Sequence, residues 1–318
     1  VIFEGANVYI TDGTNTTACE DDKCNGQGNL IVGYNSDGNI TNGSHNVIVG
    51  SNHTVSGYGS FVSGYDNYLV GSYSAAVGGR DSKVTAEYAV AVGGHKNEAV
   101  ASHAVTVGGS YAKAGSLLSV AGGGTQNFAL GIGSVALGGT TNVAAGYSSM
   151  AAGGTGNQAT GMLSVVSSGA GNSATGDYSS VSAGRENKAS GNYASVAGGR
   201  QNVAEGEHSS VVAGFMNLAK GIYAAVSGGW KNKANGELSS VSGGNANNAG
   251  LCSTSGDDCS GSVSSIAGGT NNRTTGLYSS VGGGNDNSAL GTASAVSGGW
   301  AKLATQMYQW VGGSYSSP

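Results

Sequence analysis

Residues 184–199 read G-R-E-N-K-A-S-G-N-Y-A-S-V-A-G-G, and residues 199–214 read G-R-Q-N-V-A-E-G-E-H-S-S-V-V-A-G. Laid one over the other, they share an opening Gly, an Asn three residues on, an Ala two further, a second Gly two further again, and a Val five residues beyond that. The same phase runs outward in both directions. A repeat glycine recurs every fifteen residues from Gly64 to Gly244 and again at Gly269, Gly284 and Gly299. Asn keeps its place from Asn127 to Asn247, Ala from Ala129 to Ala249, and the second Gly from Gly131 to Gly236. The consensus is G-x-x-N-x-A-x-G-x-Y-S-S-V-x-G. A fixed period of this length marks a repeat architecture in which each unit buries its apolar face only against its neighbours.

Fifteen residues hold two short strands and two tight turns, not a helix pair. Asn and Ala alternate with variable residues, the period-2 mark of a strand. Glycines at both ends of this stretch permit the positive φ angles of tight turns. Gly, Ala, Asn and Ser are weak strand formers alone, so stacking of coil on coil must supply the stability. The expected fold is all-β: a parallel β-solenoid of roughly 15-residue coils with small side chains inside. About eighteen coils advancing ~4.8 Å each predict a rod on the order of 85–90 Å long. The Asn column is expected to form a ladder in which each amide donates to one neighbouring coil and accepts from the other, as stacked amides do in cross-β structures.

The organisation read from this phase is an N-terminal cap or assembly segment over residues 1–27, irregular coils over 28–63, a regular roll over 64–313, and a tail at 314–318. Ten extra residues separate Gly244 from Gly269, giving an insertion at 251–260. The insertion contains Cys252 and Cys259, and the other cysteines are Cys19 and Cys24. Neither spacing fits the usual zinc patterns, so two local disulfides, Cys19–Cys24 and Cys252–Cys259, are expected in an oxidising compartment. Asn15, Asn39, Asn42, Asn52 and Asn272 stand in N-x-S/T sequons as glycosylation candidates. The acidic runs Glu20–Asp22 and Asp257–Asp258 are either solvated turns or calcium-binding loops.

The strand after the second glycine changes midway. It reads AVAV, AVTV, SVAG and SVAL between residues 89 and 137, and mainly SSVS or SSVA from 164 onward. A one-residue shift exchanges the faces of a strand, so the register flips or the inner column stays in place and changes size. We take the second reading. The inner column is then small at Ala91, Thr106, Ala121 and Ala136, and valine at Val181, Val196, Val211 and Val226. Val90, Val92, Val105, Val107, Val120, Val135 and Leu137 then face outward as an apolar ladder, the expected self-contact. A second outer column, Arg185, Arg200, Phe215 and Trp230, follows the repeat glycine in consecutive coils. It is either a stabilising surface ladder with cation–π contacts or a docking row for a glycan or partner.

The half-motif G-x-x-N-x-A-x-G, carried by Gly139–Gly146, Gly154–Gly161, Gly184–Gly191 and Gly229–Gly236, resembles the YadA-like head domain of trimeric autotransporter adhesins. The resemblance covers roughly residues 60–300. It implies a left-handed parallel β-roll, usually trimeric, displayed outside the cell and often adhesive. Those heads typically repeat every 14 residues, one fewer than the regular coils here.

Composition narrows the function classes. The chain of 318 residues has 60 glycines, one proline, 10% charged residues and a net charge of −5. Collagen would need glycine at every third position, and disorder would need more charge and fewer valines. The balance leaves no footprint for nucleic acid, and no apolar run approaches the ~18 residues of a membrane span. The opening at Val1, without a signal-like segment, is read as a mature chain. His45, His53, His95, His103 and His208 fit no zinc-like spacing. The 18 acidic residues are too scattered for a polysaccharide-cleaving carboxylate pair. No enzyme and no cofactor are expected. The expected function is a secreted structural or adhesive rod, a trimer of rolls or a head-to-tail filament, with host or matrix glycans as further partners. The alternative is a glycan-binding or ice-binding solenoid, although no column is consistently Thr. Ile2, Val8 and Ile10 within Val1–Ile10, and Met307, Tyr308, Trp310 and Val311, are the expected end contacts.

Overall fold

The structure, a computed structural model, describes residues 8–13, 24–33, 40–250 and 263–312. It is a parallel β-solenoid, with no helix among the described residues. The chain divides into two compact units, Val1–Gly153 and Gly154–Pro318.

The second unit shows the coil in its regular form. Each coil contributes one short strand to a first sheet, as at Lys188–Ala189, and one to a second sheet, as at Ser195–Val196. Partners are the equivalent residues of the next coil: Lys188 pairs with Val203 and Ser195 with Ser210, both parallel. Inside, Ala189 of the first sheet and Val196 of the second are buried, and the same two columns are buried in the neighbouring coils. Keeping Val rather than Ala in the second-sheet column is worth about 1.5 kcal/mol per coil, two extra methyl-sized groups taken from water.

The glycines have two separate causes. Gly184 has φ +95°, and a Cβ there would run into the carbonyl oxygen of Gly199 and the amide of Asn187. Gly191 needs no positive φ, but its Cβ would collide with the carbonyl oxygen of Gly206 in the next coil. The first glycine serves the turn, and the second serves close coil stacking.

The asparagines lie inside, at the turn before the first-sheet strand. Asn187 Nδ2 donates to the carbonyl oxygens of Ala183 and Gly199, both at 3.0 Å, and its Oδ1 accepts the backbone N–H of Asn202 at 3.0 Å. The same link runs without a break from Asn157 to Asn287, crossing the insertion between Asn247 and Asn272. A ladder therefore forms, but it differs from the one expected: each amide both donates to and accepts from the same next coil, and its bonds go from amide to backbone and not from amide to amide. The reason is local: the Asn lies just outside the strand, and its N–H has only the preceding side chain to bond.

The first unit is also built of two parallel sheets, with less regularity. Leu30–Val32 pairs with Val47–Val49, and Val47 with Phe61, so the segment before Gly64 is built of true coils. Their steps are 17 residues at Asn29–Asn46 and 14 at Asn46–Ser60, becoming 15 by Asn67–Ser82. The buried turn column reads His53, Asn67, Ser82, Asn97 and then Ala112, so the ladder is interrupted. The second-sheet inner column is Ala76, Ala91, Thr106, Ala121, Ala136 and Ala151, all buried. The register does not flip: Val105, Thr106 and Val107 pair with Val120, Ala121 and Gly122, column on column.

Candidate functional site

With the inside fixed by the repeat, chemistry can differ only on the outer columns. The outer face of the second sheet is the most distinctive. No Asp, Glu, Lys or Arg stands in any second-sheet strand of either unit, whereas first-sheet strands carry Lys83, Glu98, Lys113, Lys188, Lys233 and Arg273. In the first unit this face is apolar. Val90, Val105, Val120 and Val135 form one half-buried outer column, and Val92, Val107 and Leu137 form a second, 39%, 46% and 39% exposed. In the second unit the equivalent column begins at Val165 and is then mostly serine: Ser180, Ser195, Ser210, Ala225, Ser240, Ser265, Ser280 and Ala295, half-buried except Ser265, ending at the exposed Trp310.

Arg185, Arg200, Phe215 and Trp230 do stack as one column, joined by single parallel bridges from coil to coil. Arg200 lies 5.5 Å over the Phe215 ring, Phe215 and Trp230 stack at 6.4 Å, and Lys231 lies 5.0 Å over Trp230. Arg185 Nε instead bonds Glu186 Oε1 at 2.9 Å. The amide of Gln201 and the Arg185 guanidinium hold the Glu186 carboxyl below the usual carboxylate range.

A third column sits on the opposite turn. Tyr178, Tyr193, His208 and Tyr223 stack with ring centroids 4.8, 4.7 and 4.8 Å apart and planes within 5–6° of parallel. A shorter stack in the first unit joins Tyr73, Tyr88 and His103. All these residues have φ between 53° and 58°, a region side-chain-bearing residues rarely enter. Sequence reasoning found the Tyr of the consensus but not this ladder. The signal was the Tyr or His recurring two residues after the second glycine.

Other candidates fall out differently. Asn272 is a correction: it is fully buried in the Asn ladder, with Nδ2 bonded to Gly268 and Gly284, so a glycan there would break the coil. Asn42 is exposed and Asn52 half-buried, while Asn15 and Asn39 lie outside the described residues. Cys24 is disulfide-bonded; Cys19, Cys252 and Cys259, the acidic runs and Ile2 also lie outside them. Asp81 meets His95 at 3.1 Å and Arg80 at 3.3 Å. Burial raises the Asp81 carboxyl, but its bonds to Asp66 and His95 outweigh this and leave it lowered. No group of three or more His, Cys, Asp or Glu that could hold a metal ion occurs among the described residues. No family model matches the chain, and no curated protein sequence is significantly similar to it.

Proposed function

We propose that this chain is an extracellular structural rod that self-assembles through the outer face of its second sheet, as a filament subunit or as the displayed head of an adhesin. The observation that carries this reading is the charge-free sheet face, apolar over residues 90–137. In the coils of Ala114/Ala121, Ala129/Ala136 and Ala144/Ala151, both inner columns are alanine. Those coils bury little apolar surface inside while Val and Leu stand outside. A second copy covering the outer columns supplies the missing burial, about 1.5–3 kcal/mol for each Val or Leu fully covered. The disulfide at Cys24 supports an oxidising, extracellular location, with the pairings Cys19–Cys24 and Cys252–Cys259 as the proposed staples. The resemblance to YadA-like heads points the same way, and the 14-residue steps around Asn46 and Ser60 match the period typical of those heads.

The test is the double substitution Val105→Lys/Val107→Lys, followed by sedimentation velocity. Association weakens by tenfold or more while the β spectrum is unchanged. A native protein that stays monomeric at high concentration, or a double variant that assembles normally, removes the proposal. A second reading, a glycan-binding module, is favoured by the Arg200–Phe215–Trp230 column. It predicts glycan binding that Trp230→Ala abolishes.

A further inference from the structure

The second unit carries opposite charges on its two turns. The turn that follows the repeat glycine presents Arg185, Arg200 and Lys231, all exposed. The turn that follows the second glycine presents Asp177, Glu207 and Glu237. The dissenting groups nearby are Glu186, engaged by Arg185 and Gln201, and the exposed Asp286, further along the register, on the basic side, and Lys220 at the end of a first-sheet strand on the acidic side. The strands Lys188–Ala189 and Ser195–Val196 lie between these turns, so the two sets occupy opposite edges of a flat coil. Both edges also carry aromatic rings: Phe215 and Trp230 on the basic edge, Tyr193 and Tyr223 on the acidic one.

We infer that the second unit binds a second copy of this chain edge to edge, the basic turn of one against the acidic turn of the other. Charge complementarity identifies the partner as another copy, and the coil pitch makes the match collective. The aromatic stack steps by 4.7–4.8 Å per coil, and every charge on either edge is indexed to that same step. One translation that brings Arg200 against Glu207 of a neighbour therefore brings the remaining charges to within a coil of a partner. A single exposed pair is weak, but charges at a common pitch add along the edge. The contact is heterologous, since each copy keeps a free basic edge and a free acidic edge, so it propagates into a ribbon unless the rotation closes it into a ring. It uses neither the second-sheet face nor the first unit, and so stands or falls apart from the proposal above.

The experiment uses the full chain in sedimentation velocity at low and high salt. Wild type associates at low salt and dissociates as salt rises, with affinity falling roughly tenfold or more; the apolar contact of the first unit does not weaken in this way. Arg185→Glu/Arg200→Glu, with two acidic edges, and Glu207→Lys/Glu237→Lys, with two basic edges, each lose the salt-sensitive association. Mixing the two variants restores it, which a misfolded variant could not do. Salt-independent sedimentation of wild type, salt-sensitive association retained by either variant alone, or a mixture that fails to regain it each overturns the inference.

Discussion

The first unit and the second unit fold the same coil and differ in where they put their bulk. In the second unit the inner second-sheet column is Val or Ile, from Val166 to Val296, and its outer neighbour is mostly Ser. In the first unit the inner column is Ala or Thr from Ala76 to Ala151, and the outer neighbours are mostly Val, with Leu137 and Met150 and the small residues Ala75, Gly122 and Ala152. The polar ladder follows the same division, unbroken in the second unit and interrupted at Ser82 and Ala112 in the first. Because pairing holds every column in place, inner and outer residues vary independently. A unit with a complete inside needs no partner, whereas one with its apolar bulk outside gains most from being covered.

The largest expected effect breaks the ladder where it is complete. Asn217→Ala strips the acceptor from the N–H of Asn232 and the amide donor from the carbonyls of Ala213 and Gly229. Leaving a buried donor unmet costs about 1–3 kcal/mol, and we expect a loss near the upper end in chemical denaturation. An unchanged midpoint would mean that water or a relaxed turn fills the gap. Next comes the apolar column. Val211→Ala, in a fully packed coil, costs about 1.5–2.5 kcal/mol. Removing Val107, half exposed on the first unit, costs less than about 0.5 kcal/mol in the isolated chain. If the two cost the same, inner and outer columns are not the separate variables described above.

The comparison can also be narrowed. Ala112 donates its N–H to Asn97 Oδ1 but has no side chain to accept the N–H of Asn127 in turn. Ala112→Asn restores the link, with an expected gain of about 1 kcal/mol. A loss instead would show that the alanine-lined coils of the first unit sit too close to admit an amide.

The repeat, the two sheets and the fixed inner column were all legible in the sequence, because glycine, Asn and Ala are each demanded by a single geometry. Gly191 and Asn187, for example, are confined by the backbone of the next coil. What was not legible lay where the ruler changed or the residue was atypical. The coils before Gly64 were expected only as irregular ones, because their steps of 14 and 17 residues do not fit a 15-residue register. The tyrosine stack was hidden because positive φ is expected of Gly or Asn, not of Tyr193 or Tyr223. Opposite charges on opposite turns, such as Arg200 and Glu207, are neighbours in sequence, and only the coil separates them.

His53 gives the smallest effect and tests how far the first unit departs from the ideal coil. It stands in the Asn column, fully buried, and imitates the amide with its two ring nitrogens. Its Nδ1 accepts the N–H of Asn67 at 3.2 Å, while Nε2 lies 3.2 Å from the carbonyl oxygen of Val49. These bonds need the neutral ring with its proton on Nε2, since a charged imidazole has no acceptor for Asn67. Burial lowers the pKa from 6.5, against smaller opposing contributions from the Val49 and Gly64 carbonyls and the Asp66 carboxylate. In the unfolded chain the ring titrates near 6.5, so below that pH the unfolded state binds the extra proton first. The His53 contribution is therefore intact above pH 6.5 and declines as the pH falls from there toward the lowered folded value. His53→Asn should flatten that part of the stability–pH curve while keeping the coil, because Asn46 and Asn67 show that 14-residue coils hold Asn at their turns. A variant whose stability still falls below pH 6.5 as wild type does would place the titrating group elsewhere.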